Sequence, residues 1–425
     1  MRARETAKPS LVRAINLRAT FDEVQARGPI GASQVVRQTG LSRPTVGEVI
    51  ARLLDLGLIR RVGRTRGHPG PSAQLYDVNP RAGWVLSLDI GRQWVRAALT
   101  DLTGTVVAHT ASRTPASTAP AVIAQLRQAA DQLAVEVAIS PAQVEQVVVG
   151  TPGVIRRGED HFSLAPNLPG WESAGVISDI RRALVAPVLF ENDINLAAVG
   201  EHVQGVARGV DDFVLVSVGT GVGMGVVLDG ELRRGAAGLA GEIGYLALDM
   251  DAAPSERVVA WGAGPFEALV SSAGILALAR AMGLSAAGSA ADVFAAARSG
   301  EAAAAAVVAI EARRLAHAIA AIAAVLDPQL VVLGGGIGTG GGDLLLGPVT
   351  DALAAISPFS PRLAISSLGA DAVLAGAAAT GLRLALDRIF ERAATSAPVL
   401  DLGRPRLGAA ASAADGRPES AEATA

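Results

Sequence analysis

The sequence predicts an α/β protein with two lobes, preceded by a small and mostly α-helical domain. From Trp84 to about residue 395, apolar strand-like runs alternate with Ala-rich helical stretches and glycine-rich turns, which is typical of α/β folds. This region contains two similar halves, because residues 85–88 and residues 213–218 each form a strand that leads into a glycine turn and a second strand. Residues 1–80, in contrast, are rich in arginine and show helical periodicity.

The charge is divided unevenly along the 425 residues. Residues 1–80 hold 13 Lys and Arg against 6 Asp and Glu, whereas the remainder has a balance of −10. A small basic domain on an acidic body is typical of a protein that binds nucleic acid at one end. We therefore predict a DNA-binding domain over residues 1–80 and a two-lobed domain over residues 81–395. A disordered tail over residues 396–425 is predicted from its Ala, Gly, Pro and Ser content.

Composition excludes several classes of protein. The chain has no cysteine, which rules out disulfides, thiolate catalysis and cysteine-ligated zinc. Its N-terminus carries charges without a following apolar region, so no signal peptide is predicted. The most apolar stretch, Ala302–Leu326, contains Glu311, Arg313 and Arg314 and is better interpreted as a buried or amphipathic helix than as a membrane span. We expect a cytoplasmic protein that does not bind a membrane.

Three helices are predicted near the N-terminus. The first covers residues 10–26, and the second begins at residue 32 with Ser33 as its cap and ends at Gly40. The third begins after Ser42, an N-cap residue, with Pro44 tolerated in its first turn. Its inward face is predicted to consist of Val46, Val49, Ile50, Leu53 and Leu54. A short second helix, a turn and a third helix is the pattern of a helix-turn-helix.

A strand, a basic loop and a returning strand follow this third helix. The loop at residues 60–70 is rich in arginine, which suits a wing that neutralises phosphates or enters a minor groove. The chain is therefore predicted to begin with a winged helix-turn-helix. The residues predicted to contact DNA are Ser42, Arg43, Thr45, Glu48 and Arg52 in the third helix and Arg64, Arg66 and His68 in the wing. The alternative is a three-helix packing module with a solvated arginine-rich loop.

The segment Phe190-Glu191-Asn192-Asp193-Ile194-Asn195 ends one strand and opens a helix. An amide and a carboxylate at the carboxyl end of a strand are placed to face a ligand in a cleft. The Asn192 amide can donate and accept hydrogen bonds, and the Asp193 carboxylate can accept a hydroxyl proton. The alternative is that these residues only cap the helix.

Four separated segments together resemble the ROK family of repressors and sugar kinases. They are residues 165–171, residues 190–195, Gly-Leu-Ala-Gly-Glu-Ile-Gly-Tyr at 238–245 and Gly-Pro-Phe-Glu-Ala at 264–268. The resemblance extends to about residue 395 and implies an actin-like or hexokinase-like two-lobed domain behind a winged helix. It also implies a sugar site, with Asp193 as the general base if kinase activity persists. The implied sugar-binding residues are Asn167, Asn192, Asp193, Glu242, Tyr245 and Glu267.

The nucleotide-binding turns of this family are only partly preserved here. The first turn of family kinases reads Asp-Ile-Gly-Gly-Thr-Lys, whereas residues 89–94 read Asp-Ile-Gly-Arg-Gln-Trp. Side chains replace glycine where backbone must approach phosphate, which argues against ATP binding. The nucleotide-binding residues that the resemblance would imply are Asp89, Gly91, Gly219, Thr220, Gly221, Gly334 and Gly335. A retained base beside an altered phosphate turn favours a sensor over a kinase.

The family's structural zinc is not expected, because Tyr245 replaces its histidine ligand and the chain has no cysteine. We expect no metal and no cofactor. The sequence thus predicts a DNA-binding transcriptional regulator, in particular a repressor of carbohydrate-related genes, that binds operator DNA as a homodimer or a higher homo-oligomer. A sugar or sugar derivative in the cleft would modulate that binding. The alternatives are an active ATP-dependent sugar kinase carrying a DNA-binding module, and a DNA-binding or scaffold protein with an empty cleft.

Overall fold

The computed structural model describes residues 9–65, 72–115, 118–155, 159–165, 168–247 and 264–395. Its N-terminal unit consists of α1 (Pro9–Arg27), β1 (Ile30–Gly31), α2 (Ala32–Thr39), α3 (Arg43–Asp55), β2 (Ile59–Arg64) and β3 (Gln74–Val78). The three strands form one antiparallel sheet in the order β1-β3-β2. The strand β1 is two residues long, too short for any periodicity, and the sequence analysis missed it.

The helix boundaries in this unit follow the predictions with one correction. The Ser42 side chain accepts a hydrogen bond from the Thr45 amide and caps α3, and Gly40 ends α2 in the left-handed conformation with φ 70°. The prediction that Ser33 caps α2 is wrong, since that residue lies inside the helix and Gly31 occupies the cap position. The Gln34 Oε1 atom accepts a hydrogen bond from the Gly31 amide at 3.2 Å. The side chain that caps the start of α2 is therefore that of Gln34, one residue after Ser33.

The first lobe is built on a five-stranded sheet. Its strands are β4 (Trp84–Ile90), β5 (Trp94–Asp101), β6 (Val106–Arg113), β7 (Val144–Thr151) and β8 (Val188–Asn192), with helices α4 (Ala119–Val137) and α5 (Val176–Ala183). The order is β6-β5-β4-β7-β8, in which β4, β5 and β6 are antiparallel while β4, β7 and β8 are parallel. Helix α6 (Asp193–Val203) then leads to the second lobe.

The second lobe repeats this topology. Its strands are β9 (Phe213–Val218), β10 (Val222–Leu228), β11 (Glu231–Leu232), β12 (Leu330–Gly334) and β13 (Arg362–Ile365), in the order β11-β10-β9-β12-β13. Its helices are α7 (Pro265–Val270), α8 (Ser272–Ala281), α9 (Ala290–Arg298), α10 (Ala302–Leu326), α11 (Gly335–Gly341) and α12 (Asp343–Ile356). The two halves that the sequence predicted are therefore two sheets of identical strand order.

The last described helix, α13 (Ala372–Thr395), connects all parts of the molecule. Backbones of α13 and α6 touch, because a side chain at Gly376 would collide with the Leu196 carbonyl oxygen and one at Gly200 with that of Ala372. The stretch Gly369–Ala393 is long and apolar enough to cross a membrane, and 44% of its most apolar part is buried. Since α13 packs along α6, β4 and β7, we interpret it as a core helix.

The N-terminal unit shares its hydrophobic core with α13. Leu17, Phe21 and Val24 of α1 form one buried cluster with Leu386 and Phe390 of α13. The Phe21 and Phe390 rings meet edge to face at 5.5 Å. At the margin of this contact the Arg18 guanidinium pairs with the Asp387 carboxylate at 2.6 Å.

Candidate functional site

A cavity of about 490 Å³ lies between the two sheets and is lined by residues from both lobes. It collects most of the residues that the sequence analysis selected for the cleft. Those that line it are Asp89, Gly91, Asn192, Asp193, Gly219, Thr220, Gly221, Glu242, Glu267, Gly334 and Gly335. Asn167 lies outside the described residues. Residues that are far apart in the chain thus meet because the strand ends of two similar lobes face each other.

Asn192 and Asp193 stand where β8 ends and α6 begins. The Asn192 Oδ1 atom accepts hydrogen bonds from the amides of Ile194 at 3.0 Å and Asn195 at 3.2 Å, so this side chain caps the helix. Its Nδ2 atom lies 3.5 Å from the carbonyl oxygen of Gly153. Asn192 therefore caps α6 and lines the cavity at the same time. Nδ2 is the atom of its side chain that remains available to a ligand.

The Asp193 carboxylate is surrounded by protein except where it borders the cavity. Its Oδ1 atom accepts the Ile194 amide at 2.9 Å. Burial disfavours the charged form and raises the pKa of Asp193 to about 6, against the opposing effect of this hydrogen bond. A carboxylate with this pKa is ionised at neutral pH and remains a good proton acceptor, as a hydroxyl-binding or general-base residue requires.

Asp89, at the end of β4, is almost completely buried, with 4% of its surface exposed. Burial and the nearby negative charge of Asp193 raise its pKa to about 7, and the Arg96 guanidinium opposes this effect. The Arg96 Nη1 atom donates to Asp89 at 3.1 Å and Arg96 itself lines the cavity. The sequence analysis did not predict Arg96 as a cavity residue. Its position two residues beyond the altered first turn is the signal that could have identified it.

Glu242 and Glu267 come from two different segments of the second lobe. The Glu267 Oε2 atom accepts the Val222 amide at 2.9 Å, which fixes the carboxylate beside the glycine turn at residues 219–223. Burial raises the pKa of Glu267. Burial, followed by the negative charges of Asp193 and Glu267, raises the pKa of Glu242. Four carboxylates thus share one cavity, and the charge of Asp193 disfavours ionisation of both Asp89 and Glu242.

Tyr245 lies close to this group without being one of the described residues that line the cavity. Partial burial and then the charges of Glu242, Glu267 and Glu172 raise the pKa of its phenol. Trp171, the aromatic residue of the segment at 165–171, is fully buried. It stacks on Phe162 at 5.5 Å and its Nε1 atom donates to the Thr151 hydroxyl at 2.7 Å, so it belongs to the core of the first lobe.

The glycine turn at residues 334–336, between β12 and α11, requires glycine for structural reasons. Gly335 has φ 75°, and a side chain there would collide with the carbonyl oxygen of Val218 on the neighbouring strand. Glycine is therefore required by the packing of β9 against the start of α11, whether or not a nucleotide binds. The survival of this turn is weak support for ATP binding.

A salt bridge joins the end of the first-lobe sheet to the segment that follows β11 in the second lobe. The Arg234 Nε atom lies 2.6 Å from Glu191 Oε2, and the other oxygen of Glu191 accepts the Asn195 side chain at 2.9 Å. Glu191 begins the Glu-Asn-Asp segment, but its carboxylate is occupied by protein donors. It positions the start of α6 and the segment after β11. Only the tertiary structure reveals this pairing, since 43 residues separate the partners.

The predicted DNA-binding residues that the structure describes have at least partly exposed side chains on the N-terminal unit. Arg43 and Glu48 on α3 are exposed, whereas Thr45 and Arg52 are half-buried. The Ser42 hydroxyl lies 2.8 Å from the Thr45 hydroxyl and serves as the helix cap. Arg60, Arg61 and Arg64 all project from β2 as exposed side chains. Arg66 and His68 lie outside the described residues.

Comparisons with known proteins agree with this architecture. Residues 85–382 match the ROK family model. The chain is 28% identical over 251 residues to the xylose repressor of Bacillus subtilis (strain 168), covering 58% of this chain and 64% of the repressor, just under two thirds of its length. It is 30% identical over 314 residues to a glucokinase of Halalkalibacterium halodurans, covering 69% of this chain and 93% of that enzyme.

Among solved structures, a ROK family transcriptional regulator described as a homolog of the E. coli MLC protein superimposes with a TM-score of 0.74. The match covers 90% of this chain and 99% of the regulator at 22% identity, so it shows a shared fold. The family model spans most of the two-lobed region with its cavity. The chain therefore belongs to the ROK family.

Proposed function

We propose that this protein is a DNA-binding transcriptional regulator, and specifically a repressor of carbohydrate-related genes whose operator affinity depends on a sugar bound in the cavity. One observation carries the proposal. Ala372 and Val373, at the start of α13, line the cavity, while Phe390 near its end packs against α1 of the arginine-bearing N-terminal unit. One helix of 24 residues, about 36 Å long, thus contacts both the cavity and the N-terminal unit.

The N-terminal unit suits DNA binding as a winged helix-turn-helix. In this interpretation α3 enters the major groove with Arg43 and Arg52, and the hairpin of β2 and β3 presents Arg64 to the phosphates or the minor groove. Two copies in a homodimer would read two half-sites. A xylose repressor among the relatives supports the role, and the expected location is the cytoplasm.

The cavity suits a polyhydroxylated ligand. Asp193, Glu242 and Glu267 offer carboxylate oxygens to hydroxyl donors, and Asn192 offers its Nδ2 atom. A ligand that contacts both lobes would favour one lobe arrangement and shift the population that binds DNA. A hundredfold change in operator affinity requires about 2.7 kcal/mol of preference for one arrangement.

The test is fluorescence anisotropy with DNA from upstream of the protein's own gene, over a salt series and with a panel of sugars. We expect salt-sensitive binding that one sugar weakens at least tenfold. Tight binding that no sugar alters would favour a constitutive DNA-binding or scaffold protein.

Arg43→Gln should weaken DNA binding without altering sugar binding. Arg127→Gln, on the exposed face of α4, is the matched control.

A working sugar kinase is the second candidate, favoured by the glucokinase alignment and by the position and pKa of Asp193. The side chains of Arg92 and Gln93 oppose it, because they stand where family kinases have glycine and threonine. A coupled assay for ATP-dependent phosphorylation of glucose, N-acetylmannosamine and xylose separates the two. Turnover that disappears in Asp193→Asn would establish the kinase.

A further inference from the structure

The first two turns of α1 carry an exposed apolar stripe, formed by Leu11 and Ile15, which are 53% and 55% exposed. Arg18 follows at the next helical spacing, so the three side chains lie along one face of α1. The Arg18 guanidinium reaches forward to Asp22 at 2.8 Å, one turn later, and there also pairs with Asp387 of α13 at 2.6 Å. The apolar stripe is therefore continuous with the face that α1 presents to α13.

The two helices run in opposite directions along their contact. Phe21 meets Phe390 edge to face at 5.5 Å. Gln25, one turn later in α1, donates a hydrogen bond at 2.9 Å to the first carbonyl of the turn at residues 102–104. That turn also lies beside Leu382, two turns before Phe390, because a side chain on its last residue would begin 3.6 Å from the Leu382 Cδ2 atom. The end of α13 consequently points toward the start of α1.

The chain leaves α13 close to the apolar stripe. From Phe390, which lies against Phe21, α13 continues to Thr395, a rise of about 7.5 Å. Over the same distance α1 runs back from Phe21 to the position next to Ile15. Residues 396–425 follow Thr395 in the sequence. Since an extended chain spans roughly 3.3 Å per residue, the first residues of this segment are near enough to contact the stripe.

The beginning of this segment is also its most apolar part. The large apolar side chains among residues 396–425 are Val399, Leu400, Leu402 and Leu407, so three of the four fall within four consecutive residues. In an extended segment Leu400 and Leu402 lie on the same face, about 6.6 Å apart. Residues four apart on a helix are separated by about 6 Å along its axis, so the spacing of the two leucines matches that of the stripe.

We propose that residues 398–402 bind the apolar stripe of their own chain. Leu400 packs against Ile15. Leu402, further along the segment, packs against Leu11, because the segment continues in the direction of α13 and opposite to α1. This contact holds the N-terminal unit against α13 at a second place beyond the aromatic pair. A segment of the same chain is favoured over other partners, since a short linker gives it an effective concentration on the order of millimolar.

Disulfide cross-linking of the full chain tests this inference, because the chain has no cysteine of its own. The double variant Ile15→Cys/Leu400→Cys is oxidised with copper phenanthroline and examined by non-reducing gel electrophoresis and peptide mass spectrometry. The matched control is Arg13→Cys/Leu400→Cys, since Arg13 is exposed but lies about 200° around α1 from the stripe. We expect the disulfide within one chain to form at least about tenfold faster in the first variant than in the control.

Hydrogen–deuterium exchange provides a second measurement that needs no cysteine. The amides of residues 13–17 in α1 are compared between the original chain and the double variant Leu400→Ser/Leu402→Ser. We expect these amides to exchange at least about fivefold faster in the double variant, because the covering segment no longer binds. Leu407→Ser, which alters the same tail outside the proposed contact, should leave their exchange unchanged.

Three outcomes would overturn the inference. A disulfide that joins two chains, seen as a band of twice the mass, would make a second copy of the protein the partner of the apolar stripe. Equal cross-linking rates at positions 15 and 13 would mean that the segment does not bind the stripe. Amide exchange in Leu400→Ser/Leu402→Ser equal to that of the original chain would mean the same. The proposed function is tested separately, because none of these outcomes depends on DNA or a sugar.

Discussion

If a sugar binds in the cavity as proposed, the carboxylates that line the cavity predict that its affinity depends on pH. Because the pKa of Asp193 is about 6, its carboxylate accepts a hydroxyl hydrogen bond above that pH and loses this ability as the pH falls through 6. Sugar affinity should therefore decrease about tenfold between pH 7.5 and pH 5. Calorimetry across this range checks the expectation.

Asp193→Asn should bind the ligand at least about tenfold more weakly at pH 7.5 and should lose the part of the pH dependence centred near 6. Asp179→Asn, at an exposed position on α5, is the matched control. An unchanged pH profile in Asp193→Asn would assign the titration to another group. Asp89, whose pKa is about 7, would be the first to consider.

Glu311, a buried carboxylate that does not line the cavity, affects the pH dependence of stability. Glu311 on α10 is 1% exposed, and neither of its oxygens has a hydrogen-bond partner among the described residues. Burial raises its pKa to about 8, and Arg314 opposes the shift only partly. Between about pH 4.5 and pH 8 the unfolded chain has released this proton while the folded chain keeps it. Stability must therefore fall as the pH rises through this range.

Glu311→Gln removes this proton linkage at nearly constant volume. Relative to the original chain, we expect the free energy of unfolding of Glu311→Gln to rise by roughly 3 kcal/mol between pH 5 and pH 8. Urea denaturation at the two pH values measures the difference. Glu136→Gln, at an exposed position on α4, should show no such change. A parallel pH response of Glu311→Gln and the original chain would contradict the pKa of Glu311.

At the scale of elements, local pattern predicted several of the helices and strands. Ala302–Leu326 and Phe213–Val218 have the predicted bounds, and α1 and α3 begin and end close to the predicted residues. The predictions succeeded because apolar periodicity, caps and glycine turns are encoded within a few adjacent residues. The pairing of β1 with β3 and the Glu191–Arg234 salt bridge depend on distant partners, and no local pattern reports them.

Local sequence pattern also could not predict the contact between α1 and α13. Phe390 is 2% exposed and lies against Phe21, so Phe390→Ala should lower the free energy of unfolding by about 3–4 kcal/mol. Phe359→Ala removes a ring that is 41% exposed and should cost less than about 1 kcal/mol. Urea denaturation compares the two. Equal losses would mean that the aromatic contact contributes little.

At the scale of the whole molecule, the resemblance of four short segments to the ROK family was enough to predict the two-lobed architecture. It also identified most of the selected residues that line the cavity. It could not predict that Glu191 is occupied by Arg234, or that Trp171 belongs to the core. Those outcomes depend on side-chain directions that a motif leaves open. The motif predicted where the chain meets the cavity, and tertiary packing determined which atoms remain available there.

The shared core also predicts how the chain behaves when divided. A fragment of residues 1–80 lacks Leu386, Ile389 and Phe390 and would expose the apolar face of α1 that they cover. We expect this fragment to show no cooperative thermal transition by circular dichroism, whereas the full chain does. A cooperative transition in the fragment would show that the N-terminal unit has a sufficient core of its own.

The shared core of α1 and α13 limits how the N-terminal unit can be exchanged during evolution. A recombination event that exchanged only the N-terminal unit would place a new α1 against an old α13, and the residue at position 21 would meet a surface selected for another partner. Under the proposed function, we therefore expect new operator specificities to arise more readily by substitution on the exposed side of α3, at Arg43 or Glu48, than by exchange of the whole unit. The two helices that form this contact lie at opposite ends of the described chain, and their facing side chains must change together.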